Sequence, residues 1–326
     1  MGGKNAYVWL LMLGDKYLPG LLVSAYSIKR IGTENDLVAM VTPDVSRIAI
    51  NELMKIFDKV KKVNYITYRH RFKNKRQKEK YGKWMHLSPT KWNCINFIEY
   101  EKVFFLDADT VITQNIDNVF KFNRISGVFS SPWSKKDSRN KDYYQNNRLI
   151  TPDLIQKGLF RNGFVAFATG VLLKPNKNDF YNYKRMLNTR ITFNSWSGTD
   201  ELTLAYFMSL YKNGPKLTWR NLSECYNHIW KEESGCCPKH KSQKGTVIGP
   251  RICSRIKVIH LFGDVNAWES RRKSYQDIDM WFSLCREMLD NTTVNINNIN
   301  IKYKKEINKS TDKKNKYVKI FHKEIA

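Results

Sequence analysis

Val103-Phe104-Phe105-Leu106 is apolar without a break and runs straight into Asp107-Ala108-Asp109-Thr110. Four apolar residues in a row, two of them aromatic, predict a strand covered on both faces, which demands layers of other structure above and below it. Carboxylates directly after such a strand lie at the carboxyl edge of the sheet, where open α/β folds place their ligands. In extended or turning backbone, side chains at i and i+2 point to the same side. Asp107 and Asp109 can therefore grip one hard divalent cation and leave positions on it open for phosphate oxygens. The plainer reading is a solvated turn, since Asp is a favoured turn residue.

The covering layers are legible upstream. Ala6–Leu13 reads as a strand, Gly14-Asp15 as a turn, and Tyr17–Ile31 as a helix with Leu21, Leu22, Ala25 and Ile28 at helical spacing, stopped by Gly32. Leu37–Val41 is a second strand, Pro43-Asp44 opens a helix carrying Ile48, Leu53, Ile56 and Phe57, and Val60–Val63 is a third strand. This is the rhythm of βαβ units and a parallel sheet. Downstream, Ser88-Pro89-Thr90 caps a helix expected to reach Tyr100, and Thr169-Gly170 leads into a strand at Val171-Leu172-Leu173. Gly198-Thr199-Asp200 opens an apolar helix, Ile256–Phe262 is a strand carrying His260, and Gln276–Leu289 is a helix. Taken alone, Thr199 or Asp200 reads as an N-cap, and His260 as a hydrogen-bonded core histidine. Neither Gly-x-Gly-x-x-Gly nor Gly-Lys-Ser/Thr accompanies Gly14, which argues against a nicotinamide dehydrogenase or a P-loop NTPase. The charge of a bound nucleotide would then be met by other means, a metal first among them.

At 326 residues and 42% hydrophobic, the chain can bury one large core or two modest ones. Its formal charge of +26 predicts attraction to polyanions: nucleic acids, anionic membranes, acidic glycans or nucleotide phosphates. The charge is uneven, with eight Lys/Arg against one acid between Arg69 and Lys83, and nine lysines against three acids between Ile301 and Ala326. Neither an RNP aromatic motif nor a helix-turn-helix is present, which counts against sequence-specific nucleic-acid binding. No apolar run approaches the roughly 18 residues that span a bilayer, and the N-terminus lacks a signal-peptide pattern. The expectation is a soluble, intracellular protein. The six cysteines make no disulfide framework in a chain of this length. Cys225, Cys236, Cys237, His240 and Cys253 cluster without the spacing of a standard zinc site, so unpaired thiols are expected. Asn- and Lys-rich residues follow Asp290, so residues 1–290 are expected to form the folded domain and 291–326 a mobile basic tail.

In order along residues 5–270, these motifs resemble the glycogenin-like glycosyltransferases of family 8. Ala6-Tyr7-Val8 through Tyr17-Leu18-Pro19-Gly20 resembles the family's opening strand and Tyr-x-x-Gly helix start. Phe105-Leu106-Asp107-Ala108-Asp109-Thr110 with Asn115-Ile116-Asp117 resembles its (Tyr/Phe)-Leu-Asp-Ala-Asp-Thr…Asn-Ile-Asp signature. Thr169-Gly170-Val171, Gly198-Thr199-Asp200-Glu201 and His260-Leu261-Phe262-Gly263 with Trp268 stand where the family has Asn-(Ala/Ser)-Gly-Val, Gly-Asp-Gln and His-(Tyr/Phe)-x-Gly-x-x-Lys-Pro-Trp. The opening is also similar to the family's baculovirus p13-type branch, which would place the protein in viral or host-cell cytoplasm.

The resemblance implies a GT-A fold, a single Rossmann-like mixed sheet flanked by helices, and hexosyl transfer with retention from a UDP-sugar. It implies Mn²⁺, with Mg²⁺ as the alternative, on Asp107, Asp109 and His260. Donor contacts fall to Leu10 and Tyr17 at the uracil and ribose, to Lys91, and to Ala108, Gly170, Gly263 and Asn266, with Asp200 close to the donor sugar. The acceptor is a glycan or a protein, an acidic one fitting the charge, and a homodimer is compatible with this reading. The chain departs from the pattern at Asn266 and Ala267, where the family has Lys and Pro, and at Ala168, where it has Asn. Arg271 or Arg272 could supply the missing charge, and glucose does not follow automatically as the sugar. The rival reading is a polyanion-binding protein on a catalytically decayed transferase fold.

Overall fold

The computed structural model describes residues 4–72, 74–129, 147–161, 167–189, 199–226, 240–241, 247–248, 255–261, 266–270 and 276–308. In chain order the first elements are β1 (Asn5–Leu11), α1 (Leu18–Lys29), β2 (Asp36–Val41), α2 (Arg47–Leu53), β3 (Lys59–Lys62) and α3 (Lys75–Tyr81). A 3₁₀ segment, Met85–Asn96, leads to β4 (Lys102–Phe105), β5 (Thr110–Ile112), β6 (Ser126–Phe129), β7 (Leu149–Ile150), α4 (Pro152–Arg161), β8 (Phe167–Leu173) and α5 (Lys177–Leu187). Then come α6 (Thr199–Ser209), β9 (Trp219–Asn221), β10 (His240–Lys241), β11 (Val247–Ile248), β12 (Val258–His260), α7 (Gln276–Asn291) and α8 (Lys305–Asn308).

Eight strands form one sheet in the order β3-β2-β1-β4-β8-β6-β9-β7, and β10-β11 and β12-β5 are two-stranded ribbons. The sheet is mixed, as the resemblance implied: β1 and β4 run parallel, and β8 pairs antiparallel with both β4 and β6. By internal packing the chain forms two compact units. One comprises Met1–Val8, Lys62–Leu106 and Val119–Ser223; the other Trp9–Lys61, Asp107–Asn118 and Glu224–Ala326.

In the first unit, Asn5–Val8 pair with Lys102–Phe105, and Tyr7 meets Phe104 and Phe120 edge-on at centroid distances of 6.0 and 5.0 Å. The helix expected over 88–100 is instead the 3₁₀ segment Met85–Asn96. Pro89 within it has no N–H to give an α-turn. Ser88 and Asn93 also turn their side chains on nearby carbonyls, those of Met85 at 2.8 Å and Thr90 at 2.9 Å.

In the second unit α1 is buried from Leu18 to Ile28, as befits a helix enclosed on all sides. Arg30 Nε lies 2.9 Å from Glu287 Oε1, tying α1 to α7. Residues 291–308, expected from composition to belong to a mobile tail, are packed here. Val294, Ile299, Ile301 and Ile307 are buried. The buried Glu52 carboxylate accepts the Asn295 N–H at 2.9 Å and the Asn298 amide at 2.6 Å, and Lys55 at 2.8 Å. Four buried apolar side chains suffice to anchor a polar segment. Residues 309–326 lie outside the described part. Among the described residues no helix is long and apolar enough to cross a membrane.

Candidate metal and donor site

The apolar run becomes β4, and its last residue, Leu106, still bonds to the neighbouring strand, its N–H donating to Val8 O at 2.9 Å. The chain then turns through Asp107-Ala108-Asp109 into β5. β12 lies antiparallel to β5 with His260 opposite Thr110, and the Leu261 N–H donates to the Asp109 carbonyl at 2.7 Å. That register carries the imidazole to the turn: His260 Nε2 is 3.3 Å from Asp109 Oδ1. One ligand atom from each of Asp107, Asp109 and His260 lies within 4.8 Å of the other two. Both aspartates are half-buried and His260 is buried.

Beside this cluster Tyr17 packs edge-on against Trp268 at 5.4 Å and its hydroxyl hydrogen-bonds the Asn266 side chain. Burial pushes the Tyr17 phenol above its usual range, and the charges of Asp109, Glu269 and Asp107 push it further, against the opposing Asn266 bond. Asn266 Nδ2 in turn donates to Glu269 Oε2 at 2.8 Å, and Glu269 Oε1 stands 3.4 Å from Lys16 Nζ. Glu269 and Lys16 were not anticipated from sequence; their only signal is their position beside Asn266 and Tyr17. Leu10 is buried in β1. Ala108 offers its carbonyl oxygen toward Gly20.

The first unit holds a second group. Lys91 Nζ is 2.9 Å from Asp200 Oδ2, with the Asp200 side chain 3% exposed. The backbone carbonyl of Asp200 accepts the Trp92 indole N–H at 3.0 Å. Asp200 thus lies in the first turn of α6 with its carboxylate on a lysine. Gly170, in β8, has φ +90, a left-handed conformation that favours glycine. Gly263, Arg271 and Arg272 lie outside the described residues.

The cysteine expectation needs correction. Cys225 is disulfide-bonded, whereas a run of loop thiols gives no pairing from spacing alone. Cys94 and Cys285 are free and buried, and burial pushes their thiols up, that of Cys285 to about 12. Cys236, Cys237 and Cys253 lie outside the described residues.

The chain is 29% identical over 247 residues to human glycogenin-2, a match covering 73% of this chain and 45% of that protein. It is 27% identical over 186 residues to the uncharacterized protein R707 of Acanthamoeba polyphaga mimivirus, covering 55% and 58%. A shorter match, 35% over 121 residues, is to inositol phosphorylceramide glucuronosyltransferase 1 of Arabidopsis thaliana, covering 37% and 21%. The chain thus spans about half the length, or less, of these curated relatives. Among solved structures, the apo form of the bifunctional glycosyltransferase WbbM aligns with 95% of this chain and 52% of its own at a TM-score of 0.51 and 15% identity. That likeness is one of fold alone, and the fold is GT-A, a mixed sheet flanked by helices. The family model for glycosyl transferase family 8 matches residues 9–272, taking in Asp107, Asp109 and His260. A match across so much of the sequence leaves little outside it but the two ends, and the chain belongs to glycosyl transferase family 8.

Proposed function

We propose that this chain transfers a hexose, with retention, from a UDP-sugar to a glycan or protein acceptor, using a divalent cation on Asp107, Asp109 and His260. The observation that carries this is the convergence of those three side chains to within 4.8 Å, in a family 8 chain without a glycine-rich phosphate loop. The donor set fits the ion. Two carboxylates and an imidazole offer the mixed oxygen and nitrogen ligation that Mn²⁺ accepts, with Mg²⁺ the harder alternative. When bound, the metal neutralises the diphosphate and serves as Lewis acid for departure of UDP.

The remaining work falls to the chain's own residues. Leu10 and Tyr17 flank the uracil and ribose, Tyr17 holding its phenol proton at neutral pH. By the family resemblance Ala108, Gly170 and Gly263 are donor contacts, and Asn266 offers an amide where a lysine would offer charge. The resemblance assigns Asp200 to the donor sugar, and Lys91 holds its carboxylate. The names of the relatives include both glycogenin and glucuronosyltransferase, so neutral and acidic sugars both belong in a donor panel.

The basic residues before, along and just after α3, with Arg69, Arg71, Lys75, Arg76, Lys78 and Lys83 all exposed, are read as steering toward an acidic acceptor. The same residues support the rival, a polyanion binder on a decayed fold. Retention of the aspartates and His260 favours the enzyme.

Thermal unfolding with UDP, GDP and ADP, each with and without Mn²⁺, separates the two. A ligand at 100 times its dissociation constant adds about 2.7 kcal/mol, and the expected result is a midpoint rise of a few degrees with UDP plus Mn²⁺ alone. No rise with any nucleotide, together with heparin binding that weakens steeply with salt, would replace the enzyme with the rival.

A further inference from the structure

Helix α1 carries Gly20, Ser24 and Ser27, spaced i, i+4 and i+7 on one face. Alternate residues of the aspartate turn and β5 meet this row one for one. A Cβ on Gly20 would stand 2.6 Å from the Ala108 carbonyl oxygen and collide with the Trp268 ring. Ser24 Oγ lies 2.9 Å from Thr110 Oγ1, and Ser27 Oγ accepts the Ile112 N–H at 2.9 Å. Four helical residues advance about 6 Å and two strand residues about 6.6 Å, so the two rows keep step from Ala108 to Thr110.

The direction of the hydroxyl chain is forced by its ends. The Trp9 indole, a donor only, gives its N–H to Ser24 Oγ at 2.9 Å. The Asp107 carbonyl, an acceptor only, takes the Thr110 proton at 2.7 Å. Thr110 therefore has no proton left for Ser24, and Ser24 must donate to Thr110. Trp9, Ser24 and Thr110 are each no more than 1% exposed. All three bonds point the same way, from Trp9 through Ser24 and Thr110 to Asp107, and bonds aligned in this manner polarise one another. The chain ends on the backbone of one metal-site carboxylate residue, and the Gly20 contact meets the residue between the two.

Resting on the cation reading above, we propose that Ser24 is a positioning residue. Through Thr110 it fixes the peptide of Asp107 and so the angle at which the two carboxylates face each other. Partners that orient metal ligands without touching the metal typically account for roughly 10–100-fold in affinity.

The test is a Mn²⁺ titration of the full chain without donor, read from the electron paramagnetic resonance signal of free Mn²⁺, with unfolding midpoints recorded in chelator. The variants are Ser24→Ala, Thr110→Val, Thr110→Ser and Asp109→Asn. Ser24→Ala and Thr110→Val are expected to bind Mn²⁺ about 10–100-fold more weakly while folded at the titration temperature. Thr110→Ser, which keeps the hydroxyl, is expected to stay near wild type. Wild-type affinity in Ser24→Ala and Thr110→Val, whatever their midpoints, would overturn the positioning role while loss of binding in Asp109→Asn left the cation site standing. Equal binding by Asp109→Asn and wild type would instead overturn the cation reading and this proposal with it. If Ser24→Ala does not fold, the nearly isosteric Thr110→Val decides.

Discussion

Asp107 and Asp109 owe their placement to the residues before them. A strand as apolar as Val103–Leu106 must be buried, so the polar turn that follows emerges at the sheet edge with both carboxylates held close. In Asp107→Asn or Asp109→Asn, UDP stabilisation by Mn²⁺ should vanish and sugar transfer should fall by more than about 100-fold, since even partners behind the ligands can cost that much. Unchanged turnover in either variant would remove the metal assignment. His260→Ala should weaken Mn²⁺ binding and lower activity; full activity would return His260 to the core-histidine reading. The aspartate pair was legible in eight residues of sequence because its geometry is local. His260 was not, since its placement depends on the pairing of β12 with β5, and only the family resemblance pointed to it. The Lys91–Asp200 contact was less legible still, because each residue alone looks like ordinary surface or cap chemistry.

At the scale of elements, α1 was readable from the spacing of Leu21, Leu22, Ala25 and Ile28, but its small-residue face was not, since a wholly buried helix has no polar side to set it off. The packed segment 291–308 was missed because its apolar residues are sparse and irregularly spaced. Burying one aliphatic side chain is worth about 1.5–3 kcal/mol, so Val294, Ile299, Ile301 and Ile307 together approach the whole stability of a typical domain. Replacing Val294, Ile299, Ile301 and Ile307 together by Ala should therefore leave the chain aggregated or protease-sensitive. A melting midpoint equal to that of the unaltered chain would show that the segment is dispensable. Glu52 is the polar anchor of this segment. Burial alone would push its carboxyl up, but bonds from Lys55, Asn298 and the Asn295 N–H outweigh that and hold it below the usual value. A group depressed in this way contributes its stability above the unfolded pKa, near 4.3, and loses it as pH falls through the folded value. Glu52→Gln should cost about 1–3 kcal/mol at neutral pH, and the gap from wild type should close on acidification below pH ~4. A pH-independent gap would mean that shape rather than charge anchors the segment.

For the whole molecule, the βαβ rhythm of the first 60 residues foretold an α/β sheet, and β1 and β4 do pair in parallel. The antiparallel course of β8 and the strand order beyond it could not be read, because β7 and β9 are two and three residues long and show no periodicity. The net charge of +26 is a property of the same scale. If the basic segment before α3 steers an acidic acceptor, replacing Arg69, Arg71, Lys75 and Arg76 by Gln should raise KM for that acceptor and flatten its salt dependence with kcat unchanged; a fall in kcat alone would contradict steering. Each compact unit is assembled from three separate stretches of chain, and β1 supplies residues to both, Val8 ending its part in one and Trp9 beginning the other. The two units therefore cannot close in the order in which they begin: the first has all its stretches once Ser223 is made. The unit that begins at Trp9 must wait for sequence beyond Glu224, so its early strands stay exposed through most of synthesis. Such late closure of distant segments slows folding and leaves strand edges open to aggregation, and the gene should tolerate neither splitting into two co-expressed halves at residue 223 nor rapid expression without chaperone support.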